Sequence, residues 1–135
     1  MPLILIRHAS AGDRAEWDGS DLARPLDDRG RAEAEGLVTR LAAFRVDSIY
    51  SSPAVRCVQT IAPLAATRRL PVIACDALAE ARQAVDGGPL LRELAAQDVV
   101  VCGHGGLEQV LAEPQMWRKG AAFVLDSQLR IVREV

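Results

Sequence analysis

The chain has 135 residues, half of them hydrophobic and a quarter charged, with a formal net charge of −2. This length suits one domain with a single core, and the slight negative charge gives no support for general binding to nucleic acids or anionic membranes. No apolar segment approaches the ~20 residues that a membrane span needs, and no leader pattern precedes the first predicted strand, so we expect a cytoplasmic protein. The three widely spaced cysteines indicate neither a disulfide framework nor a zinc site.

The first strand is predicted over residues 3–6, where a fully apolar run ends in Arg7 and His8. Such a run, without alternation, is typical of a strand that helices cover on both faces of a parallel sheet. Ligands of these sheets bind beyond the carboxyl ends of the strands, so Arg7 and His8 lie where a site is usually found. An isolated Arg-His pair would indicate only an ordinary surface histidine.

Helices and strands alternate along the rest of the chain. The predicted elements are a loop at 11–24, a helix at 28–44, a strand at 46–51, a helix at 53–67, a strand at 71–75, a mostly irregular stretch at 76–88, a helix at 89–96, a strand at 99–102, a helix at 107–112, and two strands at 121–125 and 129–132. Asp27 suits the N-cap of the first helix, Pro53 suits the first turn of the second, and Pro63 predicts a kink or an early end there. This order predicts a single-domain three-layer α/β/α sandwich over residues 1–135, with a mostly parallel central sheet and an antiparallel hairpin at its edge.

Residues whose side chains can take part in catalysis or binding recur at the predicted strand ends. Ser51 closes the second strand, and Arg56 follows it in the next helix. Glu80 follows the third strand, and His104 and Gly105 follow the strand at 99–102. Two histidines and two arginines at neighbouring strand ends form a cationic site that suits a phosphoryl group, because phosphoryl transfer depends on positioning and on stabilising spread negative charge.

The two histidines are given different roles. A neutral imidazole is a nucleophile toward phosphorus and forms a covalent phosphohistidine that water later hydrolyses. His8 is the candidate, and the role requires one ring nitrogen to donate to a backbone carbonyl while the other faces phosphorus. We expect Arg56 to clamp the phosphoryl group near its helix N-terminus, with His104 as a donor and backbone amides near Gly105 assisting.

Four motifs occur in order along nearly the whole chain. They are Leu5-Ile6-Arg7-His8-Ala9, Arg24-Pro25-Leu26 with Gly30, Ser51-Ser52-Pro53 with Arg56, Gln59 and Thr60, and Gly103-His104. Together they resemble the histidine phosphatase superfamily, also called phosphoglycerate mutase-like. The short length, and Arg-His-Ala in place of the commoner Arg-His-Gly, are most similar to the SixA branch of phosphohistidine phosphatases.

The resemblance implies that His8 is the phosphorylated nucleophile and that Arg7, Arg56 and His104 bind the phosphoryl group, without a metal or another cofactor. Many members of the superfamily also use an acidic residue as proton donor to the leaving group. Glu80 stands where larger members place theirs, although the residues that follow it differ, and a solvated surface glutamate is the alternative.

Three further residues have two interpretations each. Arg24 lies either at the pocket mouth or in a surface salt bridge, and Ser51 either bonds the phosphate or His8, or caps the strand end. Trp17, like the second tryptophan of the chain, is interpreted as core or rim packing rather than as a substrate platform.

The expected function is that of a SixA-like phosphatase, which removes phosphoryl groups from histidine side chains of proteins through a phosphohistidine intermediate. One alternative is a small-molecule phosphomonoesterase acting on a nucleotide or sugar phosphate, and another is a non-catalytic phosphate-binding regulatory module. Gly105-Gly106 replaces the Asn-Pro that is often seen in SixA-like sequences, which leaves the substrate preference open. Neither a nucleic acid nor a membrane is an expected partner, and the sequence does not predict the oligomeric state.

Overall fold

Six strands and three α-helices make up the regular structure of residues 2–135, the part of the chain that this computed structural model describes. The strands are β1 (Leu3–Arg7), β2 (Ser48–Ser51), β3 (Val72–Ala74), β4 (Val99–Gly103), β5 (Ala122–Leu125) and β6 (Ile131–Glu134). The helices are α1 (Asp28–Arg40), α2 (Val55–Arg68) and α3 (Gly88–Leu94). None of these helices combines the length and the apolar character that crossing a bilayer requires.

The strands form one sheet in the order β3-β2-β4-β1-β5-β6. The first four are parallel to one another, β5 runs antiparallel to β1, and β6 pairs antiparallel with β5. The predicted sheet, with its antiparallel hairpin at one edge, is therefore confirmed. Arg7 pairs with Gly103 and Ser51 with Cys102, so the carboxyl ends of β1, β4 and β2 lie side by side.

Alternate side chains of the central strands serve two separate cores. Ile4 and Ile6 pack with α1 and α2 on one face of the sheet. Leu3 and Leu5 pack with α3 and the loops after it on the other face. Because both faces of β1 are covered, its uninterrupted apolar sequence buries every side chain before Arg7. The helices on both faces confirm the predicted three-layer α/β/α sandwich.

Asp27 holds the start of α1, as the sequence predicts. Its Oδ1 accepts from the Gly30 N–H at 2.7 Å, and its Oδ2 accepts from Ser10 Oγ at 2.7 Å and from the Gly12 N–H at 3.0 Å. One carboxylate therefore caps the helix and fastens the beginning of the 11–24 loop to it. The helix ends at Arg40, four residues before the predicted end, because residues 41–44 continue as tight turns.

The second helix starts later than predicted, and its internal proline does not end it early. Ala54 is its N-cap, so Pro53 precedes the helix instead of occupying its first turn. Pro63 does not end the helix, which continues to Arg68. Proline lacks an N–H, so the helix loses one hydrogen bond there. Burial of Ile61 and Leu64, on either side of the proline, outweighs this loss, because both are fully buried against the sheet.

Two elements near the carboxyl end differ from prediction, one in length and one in position. The predicted helix at 107–112 is a single 3₁₀ turn, Leu107–Val110, which follows Gly106 at φ 107°. The last strand starts at Ile131 instead of residue 129, because Leu129 has φ 61° and donates its N–H to Asp126 O in a turn. Residues 76–88 are not wholly irregular, since Gln83–Gly87 forms one turn of π-helix.

Gly30 is expected to tolerate no side chain. A Cβ at this position would lie 1.9 Å from the carbonyl oxygen of Ser10. We therefore expect Gly30→Ala to lower the free energy of unfolding by ~2 kcal/mol or more, as overpacking does. Gly36→Ala, in the same helix with nothing within 4 Å of its Cβ, is the matched control and should gain up to ~1 kcal/mol. Urea denaturation measures both, and equal stability of the two variants would contradict the close contact.

Candidate active site

The parallel pairing of β1 and β4 brings the two histidines together. His8 and His104 each directly follow the last residue of their strand, and these last residues, Arg7 and Gly103, are register partners. The His8 N–H donates to Gly103 O at 3.0 Å, and the two imidazole centroids lie 5.5 Å apart at 69°. Both side chains are buried, so their environment is fixed by protein groups.

His8 is held as a neutral ring. Its Nδ1 lies 2.8 Å from Ala9 O, and because a carbonyl only accepts, Nδ1 carries the proton and Nε2 has a free lone pair. Burial lowers the pKa of His8 from 6.5 to about 4; the hydrogen bond to Ala9 opposes this shift, and the positive charges of Arg56 and Arg7 add to it. The Ala9 N–H donates to Thr60 Oγ1 on α2 at 2.9 Å, which anchors the backbone beside His8.

His104 is bonded at both ring nitrogens. Arg56 Nη2 lies 3.3 Å from Nδ1, and since a guanidinium only donates, Nδ1 accepts and Nε2 carries the proton. Nε2 therefore donates to Ser52 Oγ at 2.8 Å, and Cys57 Sγ lies 3.6 Å from the same nitrogen. The Ser51 hydroxyl instead donates to Ser52 O at 2.8 Å. Ser52, which sequence reasoning passed over in favour of Ser51, contacts the histidine.

Arg56 is fully buried and is surrounded by acceptors. Nη1 donates to Asp21 O at 2.8 Å, and Nη2 lies 3.1 Å from Asp21 Oδ2 and 3.4 Å from Glu80 Oε1. Nε has no hydrogen-bond partner among residues 2–135. Asp21 was not predicted, because it lies in a loop without periodicity and its sequence position gives no signal of contact with α2.

Arg7 lies against the backbone of the loop after β4. Nη1 donates to Trp117 O at 2.7 Å, and its Nε likewise finds no partner within the described part of the chain. A Cβ on Gly105 would lie 2.9 Å from Nη2, so glycine makes room for the guanidinium. Gln83 fixes the loop, because it accepts from the His104 N–H at 3.2 Å and donates to Gly105 O at 3.0 Å. Gln83 begins the π-helical turn, a feature frequent at functional sites.

A cavity of about 570 Å³ opens above these residues. Its walls are Arg7, His8, Gly12, Asp13, Arg14, Arg24, Glu80, Gly105 and Lys119. The wall thus carries four basic side chains and two acidic ones, which suits an anion. Arg56, His104 and Ser51 are fully buried and do not belong to the cavity wall. Arg24 is at the mouth and also in an ion pair, since its Nε lies 3.2 Å from Asp21 Oδ1.

Glu80 lines the cavity and also faces solvent, since its side chain is 42% exposed. Its carboxylate accepts from Arg14 Nη2 at 2.9 and 3.1 Å. Partial burial would raise the pKa of Glu80, but the Arg14 hydrogen bond and the nearby positive charges lower it below the usual value. Glu80 is therefore ionised at neutral pH in this arrangement. Residues 2–135 contain no group of three or more His, Cys, Asp or Glu side chains that could hold a metal ion.

The chain matches known proteins over most of its length. The family described as histidine phosphatase superfamily (branch 1) matches residues 3–88. A protein from Agrobacterium tumefaciens, described as a candidate SixA phosphohistidine phosphatase, has a TM-score of 0.82 and 28% identity over 99% of this chain and 96% of that chain. A SixA protein histidine phosphatase solved with tungstate has a TM-score of 0.82 and 23% identity, over 100% of this chain and 96% of that chain, which shows the fold alone. The predicted phosphoglycerate mutase-like fold is confirmed.

A curated relative has higher identity over a shorter stretch. The 8-oxo-(d)GTP phosphatase of Mycolicibacterium smegmatis is 51% identical over 63 residues. These residues are 47% of this chain and 20% of the relative, so the chain spans about a fifth of the length of the curated relative that it matches.

The low pKa of His8 gives a direct test of the site. An NMR titration of the two imidazoles, assigned with His8→Gln, should find His8 protonated only near pH 4. In the unfolded chain the histidine pKa is near 6.5, so the unfolded chain binds this proton more readily than the folded protein. The free energy of unfolding therefore decreases as the pH falls from about 6.5 to about 4. His8→Gln should remove that part of the pH dependence. A titration of His8 near pH 6.5 would contradict the burial argument.

Proposed function

Because the chain belongs to the histidine phosphatase superfamily, we propose that it is a phosphatase that transfers a phosphoryl group first to Nε2 of His8 and then to water. The observation that carries the proposal is the state of His8. Its ring is neutral, its Nδ1 is committed to Ala9 O, and it forms part of the cavity wall. A fixed tautomer with a free Nε2 lone pair is what nucleophilic attack on phosphorus requires.

The charges around His8 support binding of the transferred group. Arg7 lines the cavity and has a buried Nε without a partner among residues 2–135, so it has a donor to offer to phosphoryl oxygens. The Nε of Arg56 also has no partner among these residues, but its fully buried side chain is not part of the cavity wall. Arg56 also gives its Nη2 to Asp21 and Glu80, and a phosphoryl dianion would compete with these carboxylates for it. His104 accepts from Arg56 at Nδ1 and donates from Nε2 to Ser52 Oγ, so it holds the Arg56 guanidinium in place.

The reaction takes two displacements at phosphorus. In the first, the Nε2 lone pair of His8 forms the P–N bond while the bond from phosphorus to the leaving group breaks, and the leaving group takes a proton. In the second, water attacks the phosphohistidine, inorganic phosphate leaves, and His8 regains its lone pair. We propose that the ionised Glu80, which lines the cavity, accepts the proton of this water and returns it to the next leaving group.

Two leaving groups have support. The phosphorylated side chain of a protein histidine agrees with the open cavity and with the likeness to SixA structures. A small phosphoester, above all a nucleotide, is favoured by the 51% identity to a nucleotide phosphatase over 63 residues. A non-catalytic phosphate-binding module is the alternative from another class.

Trapping of the phosphoenzyme tests the mechanism. The protein, His8→Ala and His104→Ala are incubated, with a chelator present, with a phosphohistidine peptide and with a chromogenic phosphomonoester, then quenched in alkali. We expect an acid-labile phosphoryl group on His8 of the native protein, none on His8→Ala, and a slower appearance on His104→Ala, which keeps the nucleophile. A folded protein that binds phosphate but shows neither turnover nor trapped phosphate would favour the binding module.

Glu80→Gln separates the two classes of leaving group. An alkoxide needs a proton as it leaves, whereas an imidazole leaves readily once protonated by solvent. The single-turnover rate of His8 phosphorylation should fall about a hundredfold with an alkyl phosphomonoester and only slightly with a phosphohistidine peptide. Glu93→Gln, at an exposed position on α3, is the control and should change neither rate. Equal losses with both substrates would exclude Glu80 as the proton donor.

A further inference from the structure

A second cavity adjoins the one above His8 and has no part in the reaction derived above. It has a volume of about 260 Å³, and Gly12, Asp13 and Arg24 belong to the walls of both cavities. Its other wall residues include Ala11, Glu16, Trp17, Pro25 and Leu26. We refer to it as the Trp17 cleft. Because these three residues line both cavities, the cleft lies directly beside the cavity above His8, and a ligand bound at His8 would pass over them to reach the cleft.

Trp17 presents a fixed aromatic surface to this cleft. Its indole N–H donates to Ser20 O at 2.8 Å, and a Cβ on Gly19 would lie only 3.1 Å from Nε1, so the chain turns closely around the ring. The side chain is nevertheless 39% exposed. Trp117, by contrast, is 5% exposed and stacks on Phe123 within the core. Trp17 thus lies at the rim, one of the two positions expected for it, but its exposed ring is also available for stacking, which the sequence did not predict.

The acidic side chains of the cleft favour a ligand that donates hydrogen bonds. Asp13 and Glu16 carry carboxylates, which accept hydrogen bonds and cannot donate them when ionised. Asp13 Oδ1 already accepts from the Ala15 N–H, which leaves its other oxygen for a ligand. Arg24 is committed to Ala11 O and Asp21. A flat aromatic ligand with N–H groups along its edge, such as guanine, matches the aromatic wall and the carboxylates together.

We propose that the Trp17 cleft binds the base of a purine nucleoside phosphate whose terminal phosphoryl group is transferred to His8. The proposal rests on the proposed function and chooses among its leaving groups. In a phosphohistidine the imidazole is bonded directly to phosphorus, so it stays beside His8. In a nucleotide the ribose separates the base from the phosphate, which lets the base occupy the adjoining cleft while Arg24 and Gly12 lie along the connection.

Matched substrates test the cleft. GMP and ribose 5-phosphate present the same 5′-phosphate ester and differ in the base, and GDP and inorganic pyrophosphate form a second pair with a phosphoanhydride. In at least one pair the native protein should prefer the nucleotide in kcat/KM. Trp17→Ala should raise KM for that nucleotide by about tenfold to a hundredfold, the usual effect of losing a stacked base, and leave the base-free partner unchanged. Trp17→Phe, which keeps an aromatic ring, should retain most of the preference.

Binding without turnover keeps the two proposals separable. In His8→Ala, GMP or GDP should quench the fluorescence of the exposed Trp17, and Trp17→Ala in the same background should lose the quenching. The base site is refuted if neither nucleotide quenches the fluorescence and the nucleotide preference in kcat/KM is absent or survives in Trp17→Ala. In that case, a phosphoryl group trapped on His8 would still support the phosphatase. Quenching that Trp17→Ala removes, in a protein that never forms a phosphoenzyme, would uphold the base site and refute the phosphatase.

Discussion

The pairing of β1 with β4 is the constraint on which the site depends. Parallel strands in this register end at the same level, and the next residue on each is a histidine. The hydrogen bond from the His8 N–H to Gly103 O extends the pairing one residue beyond the strand, so the separation of the two imidazoles is set by backbone geometry. A one-residue shift of either strand would turn its histidine to the opposite face of the sheet, toward the hydrophobic core.

Burial of charge is the second determinant. A fully buried guanidinium such as Arg56 is costly unless its donors are satisfied, and Asp21 and Glu80 supply acceptors from two separate loops. The same burial holds His8 neutral, because a proton on its ring would add charge to a site that already contains two arginines. The apolar and cationic surroundings destabilise the fold, but they keep the imidazole neutral, which is the state that a nucleophile needs.

The sequence predicts the parts of the site that belong to strand ends. His8, Arg56 and the Gly103-His104 pair follow from apolar runs and their order, because periodic burial leaves a clear pattern. Ser52, Asp21 and Gln83 could not be found this way, because their roles depend on loop packing and on the register between strands, which composition does not record. The same limit explains Pro63, whose helix continues because tertiary burial outweighs a local preference.

The 11–24 loop and the backbone around His8 are anchored by different residues, and Asp27 anchors the loop. It fastens the start of the 11–24 loop to α1, while His8 is fixed independently by Ala9, Thr60 and β4. Mutations in the loop, other than at Asp21, which binds Arg56, can therefore accumulate without displacing His8, provided that the anchor remains. For evolution, this means that the range of leaving groups can diverge between related proteins while the chemistry at phosphorus is inherited unchanged.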